Sequence, residues 1–100
     1  MIGMIDRRFD LRVPVADTVL LSWTDHTGQE LEGPAEMADI SASGASIRAQ
    51  HPVKLATTIY IVYQDQKFAG KVRSCVAGNT SYLLGIEFDA GYRWSPNSRK

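Results

Sequence analysis

Thr57-Thr58-Ile59-Tyr60-Ile61-Val62-Tyr63 decides how the rest of the chain is read. Every residue in it is β-branched or aromatic. Such side chains fit a pleated surface and lose rotamer freedom in a helix. Gln64-Asp65-Gln66 follows as a polar turn. Lys67-Phe68-Ala69-Gly70-Lys71-Val72-Arg73-Ser74-Cys75-Val76 then alternates polar and apolar, as a half-buried strand does. Ala77-Gly78-Asn79-Thr80 is the next turn, and Ser81-Tyr82-Leu83-Leu84-Gly85-Ile86-Glu87-Phe88 the last clear strand.

Upstream the same grammar continues. Val19 to Thr24 reads as a strand, and Asp25-His26-Thr27-Gly28 supplies turn chemistry, with Gly28 free to adopt positive φ. Gln29 to Glu32 starts a return strand that Gly33-Pro34 interrupts, and Ala35 to Asp39 continues it. Ala45 to Arg48 is a short strand ending before His51-Pro52, where proline withdraws an N–H donor. No helical apolar series runs longer than about two turns. Some six strands joined by short turns predict an all-β domain, a small antiparallel barrel or sandwich. A closed sheet would leave no edge exposed. Residues 1–12 and 91–100 are polar and lack alternation, so both ends are expected to stay mobile until something orders them.

The chain has 100 residues, enough for one domain with a single core. Its 11 Lys and Arg balance 11 Asp and Glu, which argues against a binder of nucleic-acid polymers, normally basic overall. No apolar run reaches the roughly 18 residues of a membrane span, and MIGMIDRR has no signal-peptide core. Cys75 stands alone, which excludes an internal disulfide and a cysteine-cluster metal site. A cytoplasmic location is the expectation.

Zero net charge conceals a local asymmetry. Arg7, Arg8 and Arg12 crowd the N-terminus. Arg8 and Arg12 are four apart, so two guanidiniums share a face in a helix or in an extended segment. The planar fork of arginine suits phosphate oxygens and the O6/N7 edge of guanine. The plainer reading is surface pairing with Asp6 and Asp10. The second feature is Asp39-Ile40-Ser41-Ala42-Ser43-Gly44, a turn-like cluster. In it Asp39 offers an acceptor for guanine's N1–H and N2–H₂, and Ser41 a hydroxyl. Gly44 allows a sharp turn or a close approach.

Taken together, the two features resemble the PilZ domain family, marked by RxxxR and then (D/N)xSxxG. Here these are Arg8-Phe9-Asp10-Leu11-Arg12 and Asp39-Ile40-Ser41-Ala42-Ser43-Gly44, the second beginning 27 positions after Arg12. Leu84-Gly85-Ile86-Glu87-Phe88 resembles the G-[VI]-x-F stretch that closes many such domains. The likeness covers roughly residues 6 to 90. It implies a six-stranded antiparallel β-barrel over residues 13–90, a flexible N-terminal arginine arm over 1–12 and a short tail over 91–100. It also implies a sensor that binds cyclic di-GMP and switches shape or partner. The implied contacts are Arg8, Arg12, Asp39 and Ser41, with Gly44 setting shape and Gly85 admitting ligand to the barrel wall. Arg7 is compatible with a self-stacked ligand dimer. Many relatives continue into a C-terminal helix, but here the tail is short and contains Pro96.

No catalytic constellation stands out, so the expectation is a non-enzyme with no cofactor beyond its ligand and with an unidentified effector protein as partner. His26 and His51 lie in separate loops without metal-ligand spacing, so no metal is expected. Cys75 is expected in the core or barrel wall. Trp23, Tyr60, Phe68 and Phe88 are expected in the core, and Trp94 could cover one barrel end. The rival reading is a PilZ-like adaptor that contacts proteins and no nucleotide. A single-strand nucleic-acid binder would need a basic and aromatic stripe, and none is identifiable.

Overall fold

A computed structural model describes residues 11–95. Six strands run β1(Val13–Thr24), β2(Glu30–Ile40), β3(Gly44–Ala49), β4(Thr58–Tyr63), β5(Gln66–Ala77) and β6(Tyr82–Phe88). They close into an antiparallel barrel in the order β1-β2-β3-β6-β5-β4. Closure pairs β1 with β4, so neither needs cover as an edge.

Alternation fills the interior. Leu21, Met37, Ile40, Ile47, Ile59, Ile61, Val72 and Leu84 are almost fully buried, and every strand contributes at least one of them. Burying each such side chain stabilises the fold by roughly 1.5–3 kcal/mol. Phe68 and Phe88 stack with centroids 4.8 Å apart, tying β5 to β6. Val53, from the segment linking β3 to β4, and Trp94 are also buried in this core. Trp94 is held beside the β2–β3 turn, where its backbone N–H donates to the Ala42 carbonyl at 3.2 Å. Trp94 therefore packs on the barrel, while Gly91, Tyr92 and Arg93 before it are exposed.

Three readings of the sequence are corrected. The first strand starts at Val13, because Val13 and Val15 pack partly against the core in phase with Val19, Leu21 and Trp23. Gly33-Pro34 does not interrupt β2: Pro34 pairs with Leu20, while the β2–β3 ladder begins only at Glu36. At Pro34 the strand has one neighbour, and a proline is tolerated at such an edge. Tyr60 is 53% exposed, because Ile59, Ile61 and Tyr63 take the inward phase of β4.

The β4–β5 hairpin pairs Tyr63 with Gln66 and places Gln64 and Asp65 at φ 52° and 67°. Two left-handed residues match the twist of a two-residue hairpin, but non-glycine side chains occupy that region at a cost. Replacing the pair by Asn-Gly should stabilise the protein by about 1 kcal/mol, raising Tm by roughly 4–8 °C in thermal unfolding followed by circular dichroism.

A cleft on the barrel wall

The candidate site lies where strand register slips: β1 against β2 between Pro14 and Asp17, β2 against β3, and β5 against β6. In β2, Leu31, Gly33, Ala35 and Met37 take the inward phase. Strict period two would turn Asp39 inward as well. Instead, the β2–β3 register slips between Met37 and Asp39, so Ala38 is extra and Ile40 is the next buried residue. Asp39 is thereby turned to the outer wall. In β5 the register against β6 slips between Val72 and Ser74. Arg73 and Ser74 are both exposed, and the inward phase resumes at Cys75, which packs against the core. Bulges of this kind re-aim side chains and concentrate near functional sites.

The β1–β2 register explains why the two arginine- and aspartate-bearing motifs meet. Val13 pairs with Ile40 and Pro14 with Asp39. Arg12, one step before β1, thus lies beside the start of the β2–β3 turn. Its Nη1 donates to Asp39 Oδ1 at 2.5 Å. The interval between the motifs is one hairpin, out along β1 and back along β2.

The turn that follows is built by its own residues. The Ser41 N–H donates to the Gly44 carbonyl at 2.8 Å, and the Ser41 hydroxyl donates to the same oxygen at 3.3 Å. Ser41 is only 1% exposed, so its first duty is to close the turn. The Phe88 N–H donates to the Ser43 carbonyl at 2.8 Å, docking the turn on β6. Gly44 lies so close to β6 that a β-carbon there would overlap the Ile86 carbonyl oxygen. A β-carbon on Gly85 would meet only the Ser74 hydroxyl, which can rotate away.

Arg12, Ser41, Ser43, Gly44, Arg73, Ser74, Gly85, Ile86 and Glu87 line one open cleft of about 550 Å³. That volume suits a small-molecule ligand. Of the residues singled out from sequence, Arg12, Ser41, Gly44 and Gly85 border it directly, and Asp39 joins it through Arg12. Arg7 and Arg8 lie outside the described residues. Sequence reasoning missed Ser43, Arg73, Ser74 and Glu87. The one signal in this group is the broken phase between Val72 and Cys75, which marks Ser74 as turned outward. The cleft presents guanidiniums, hydroxyls and a carboxylate, with the Ser74 hydroxyl lying over Gly85, a set of groups suited to an anionic, hydrogen-bonding ligand.

Elsewhere, His26 and His51, expected in unrelated loops, line one hollow of about 520 Å³ with Trp23. Among the described residues, no group of three His, Cys, Asp or Glu could hold a metal, and no helix is long and apolar enough to cross a membrane. In the turn after β1, Thr27 and Gln29 donate to the Asp25 carboxylate and hold its pKa below the ordinary value.

Gly44→Ala should destabilise the fold by about 1–3 kcal/mol, because it overpacks against backbone. Gly85→Ala should leave stability within about 0.5 kcal/mol. Urea unfolding of the two variants reads the difference directly.

Comparison of the chain with curated proteins gives no match. The family model describing the PilZ domain matches residues 6–92, a span that includes all six strands and both motifs. With that match over most of its length, the chain belongs to the PilZ domain family.

Proposed function

We propose that the cleft binds cyclic di-GMP and that the domain is a non-catalytic sensor that passes this signal to an effector protein. PilZ domains are generally associated with cyclic di-GMP binding and act as binding modules. The observation that carries the reading in this chain is the Arg12–Asp39 contact at the edge of the Gly85 cleft. A guanidinium for phosphate or guanine O6/N7 and a carboxylate for guanine N1–H and N2–H₂ stand side by side. Arg8 and Arg7, a few residues ahead of Arg12 in sequence, are the further cations assigned to the ligand. Three or four charge-assisted hydrogen bonds, less ordering costs, correspond to a dissociation constant of about 1 μM. Ligand held partly by the N-terminal segment and partly by the barrel favours one arrangement of the two, which couples binding to shape. The ligand carries only two phosphates, so affinity should fall far less steeply with salt than that of a polymer-binding groove.

Titration calorimetry with cyclic di-GMP, cyclic di-AMP and GTP tests the reading. Saturable binding of cyclic di-GMP alone is expected. Absence of binding by all three would leave the protein-adaptor reading in its place. Arg12→Ala and Arg8→Ala should each weaken binding at least about tenfold, a loss of roughly 1.4 kcal/mol. For Arg12→Ala, Tm should hardly move, because an exposed ion pair contributes only about 0–1 kcal/mol. Asp39→Ala should narrow the preference for the guanine over the adenine dinucleotide as well as lower affinity. Equal affinity of the unaltered protein for both would contradict the role given to Asp39.

A further inference from the structure

The cleft contains a cation that neither motif accounts for, and an acid that an anion-binding site would not be expected to keep. Arg73 follows the inward Val72 and is the extra residue of the β5 bulge, and its side chain is exposed on the outer wall. Its Nε donates to Glu87 Oε1 at 2.7 Å across the β5–β6 ladder. Both side chains border the cleft. Both are also more than half exposed, 57% for Arg73 and 59% for Glu87, so the pair sits in water and exchanges readily. Next to Arg73 is Ser74, whose hydroxyl fills the space left by the missing Gly85 side chain.

We infer that Arg73 is an additional anion contact for the ligand and that Glu87 is its internal competitor. Resting on the cyclic di-GMP reading, the inference assigns how affinity is set at that same site. Without ligand, Glu87 occupies the Arg73 fork and the cleft wall is locally neutral. A phosphate entering the cleft takes the place of the Glu87 carboxylate on Arg73. Phosphate offers the guanidinium more acceptor oxygens and more charge than one carboxylate, so the exchange runs forward. Glu87 remains nearby as a repelling charge and lowers affinity. A cleft with Arg12 and Arg73 both unmasked would hold anions less selectively, so Glu87 favours a ligand that carries two phosphates and guanine donors over simple phosphates.

Binding of cyclic di-GMP and of inorganic pyrophosphate to the full chain, measured by calorimetry for Glu87→Gln, Arg73→Ala, the double variant and Arg12→Ala, tests this. Glu87→Gln should tighten cyclic di-GMP binding about threefold to fivefold. Arg73→Ala should weaken it about tenfold. In the Arg73→Ala background the Glu87→Gln gain should vanish, because the two act as a pair. Cyclic di-GMP binding that depends on Arg12 but is unchanged in Glu87→Gln and Arg73→Ala overturns the inference and leaves the ligand reading intact. A Glu87→Gln gain that persists at full size without Arg73 also overturns it, because Glu87 would then act only by general repulsion. No cyclic di-GMP binding, with pyrophosphate following the expected pattern, upholds the Arg73–Glu87 pair and removes the ligand reading. No binding of either probe removes both.

Discussion

The antiparallel register of β1 on β2 is the constraint on which the site depends. Pairing Val13 with Ile40 fixes where the residue before β1 lies relative to the turn after β2. A slip of one residue would exchange the inward and outward faces of a strand. From Asp17 to Thr24 the core forbids such a slip, because it would turn Val19, Leu21 and Trp23 outward. Between Pro14 and Asp17 the register shifts by one residue, and the ladder resumed at Val13–Ile40 sets Arg12 beside Asp39. This is an economical way to hold a guanidinium at the mouth of a cleft: the exposed ion pair contributes little energy, so the strand ladder has to supply the precision.

The bulges complete that arrangement. A strictly alternating barrel presents each strand's polar residues at even intervals and has no reason to gather them. One extra residue at Ala38 and one at Arg73 change the phase locally. Asp39 and Ser74 are brought to the outer wall, Ser74 beside the already outward Arg73, while Ile40 and Cys75 keep the inner one apolar. Both irregularities lie along the strands that flank the β2–β3 turn or face it across β6. Close backbone approach at Gly44 then lets the turn sit down on β6 without a side chain between them. The polar wall of the cleft and the apolar core behind it are two faces of the same strands.

Much of this was legible in the sequence, and the particular failures have physical causes. The strong strands β4, β5 and β6 announce themselves through β-branched runs and alternation. Val13 and Val15 were hidden because Pro14 and Asp17 give the start of β1 a loop-like composition, while periodicity alone carries its inward phase. Gly33-Pro34 looked like a break because proline is costly in a central strand, and the sequence does not reveal that β2 has lost its second neighbour there. Arg12, Asp39, Ser41, Gly44 and Gly85 could be singled out because they fall in motifs. Arg73 and Glu87 could not: each is an ordinary solvent-side residue of an alternating strand until register places them on adjacent strands beside the Arg12 cleft. Ser41 has a structural role that its sequence reading did not include. Its hydroxyl is buried and donates to the Gly44 carbonyl, so it builds the bend against which a ligand would rest.

The charge balance of the chain acquires a meaning at this site. Equal numbers of cations and anions could have meant that no anion is bound at all. In the described cleft, however, the guanidiniums are each matched locally, Arg12 by Asp39 and Arg73 by Glu87. A site built from matched pairs has little long-range field, so it does not accumulate anions from solution as a basic patch does. Its preference arises at contact, where a ligand must offer each freed partner something better than the pairing it replaces. Phosphate can do so for arginine, and guanine's N1–H and N2–H₂ can do so for a carboxylate. At the Arg12–Asp39 pair, only a ligand presenting both kinds of group at once would satisfy both partners. On the function proposed for the cleft, neutrality would select against nucleic-acid polymers and simple phosphates by the same physics that would admit a small guanine dinucleotide.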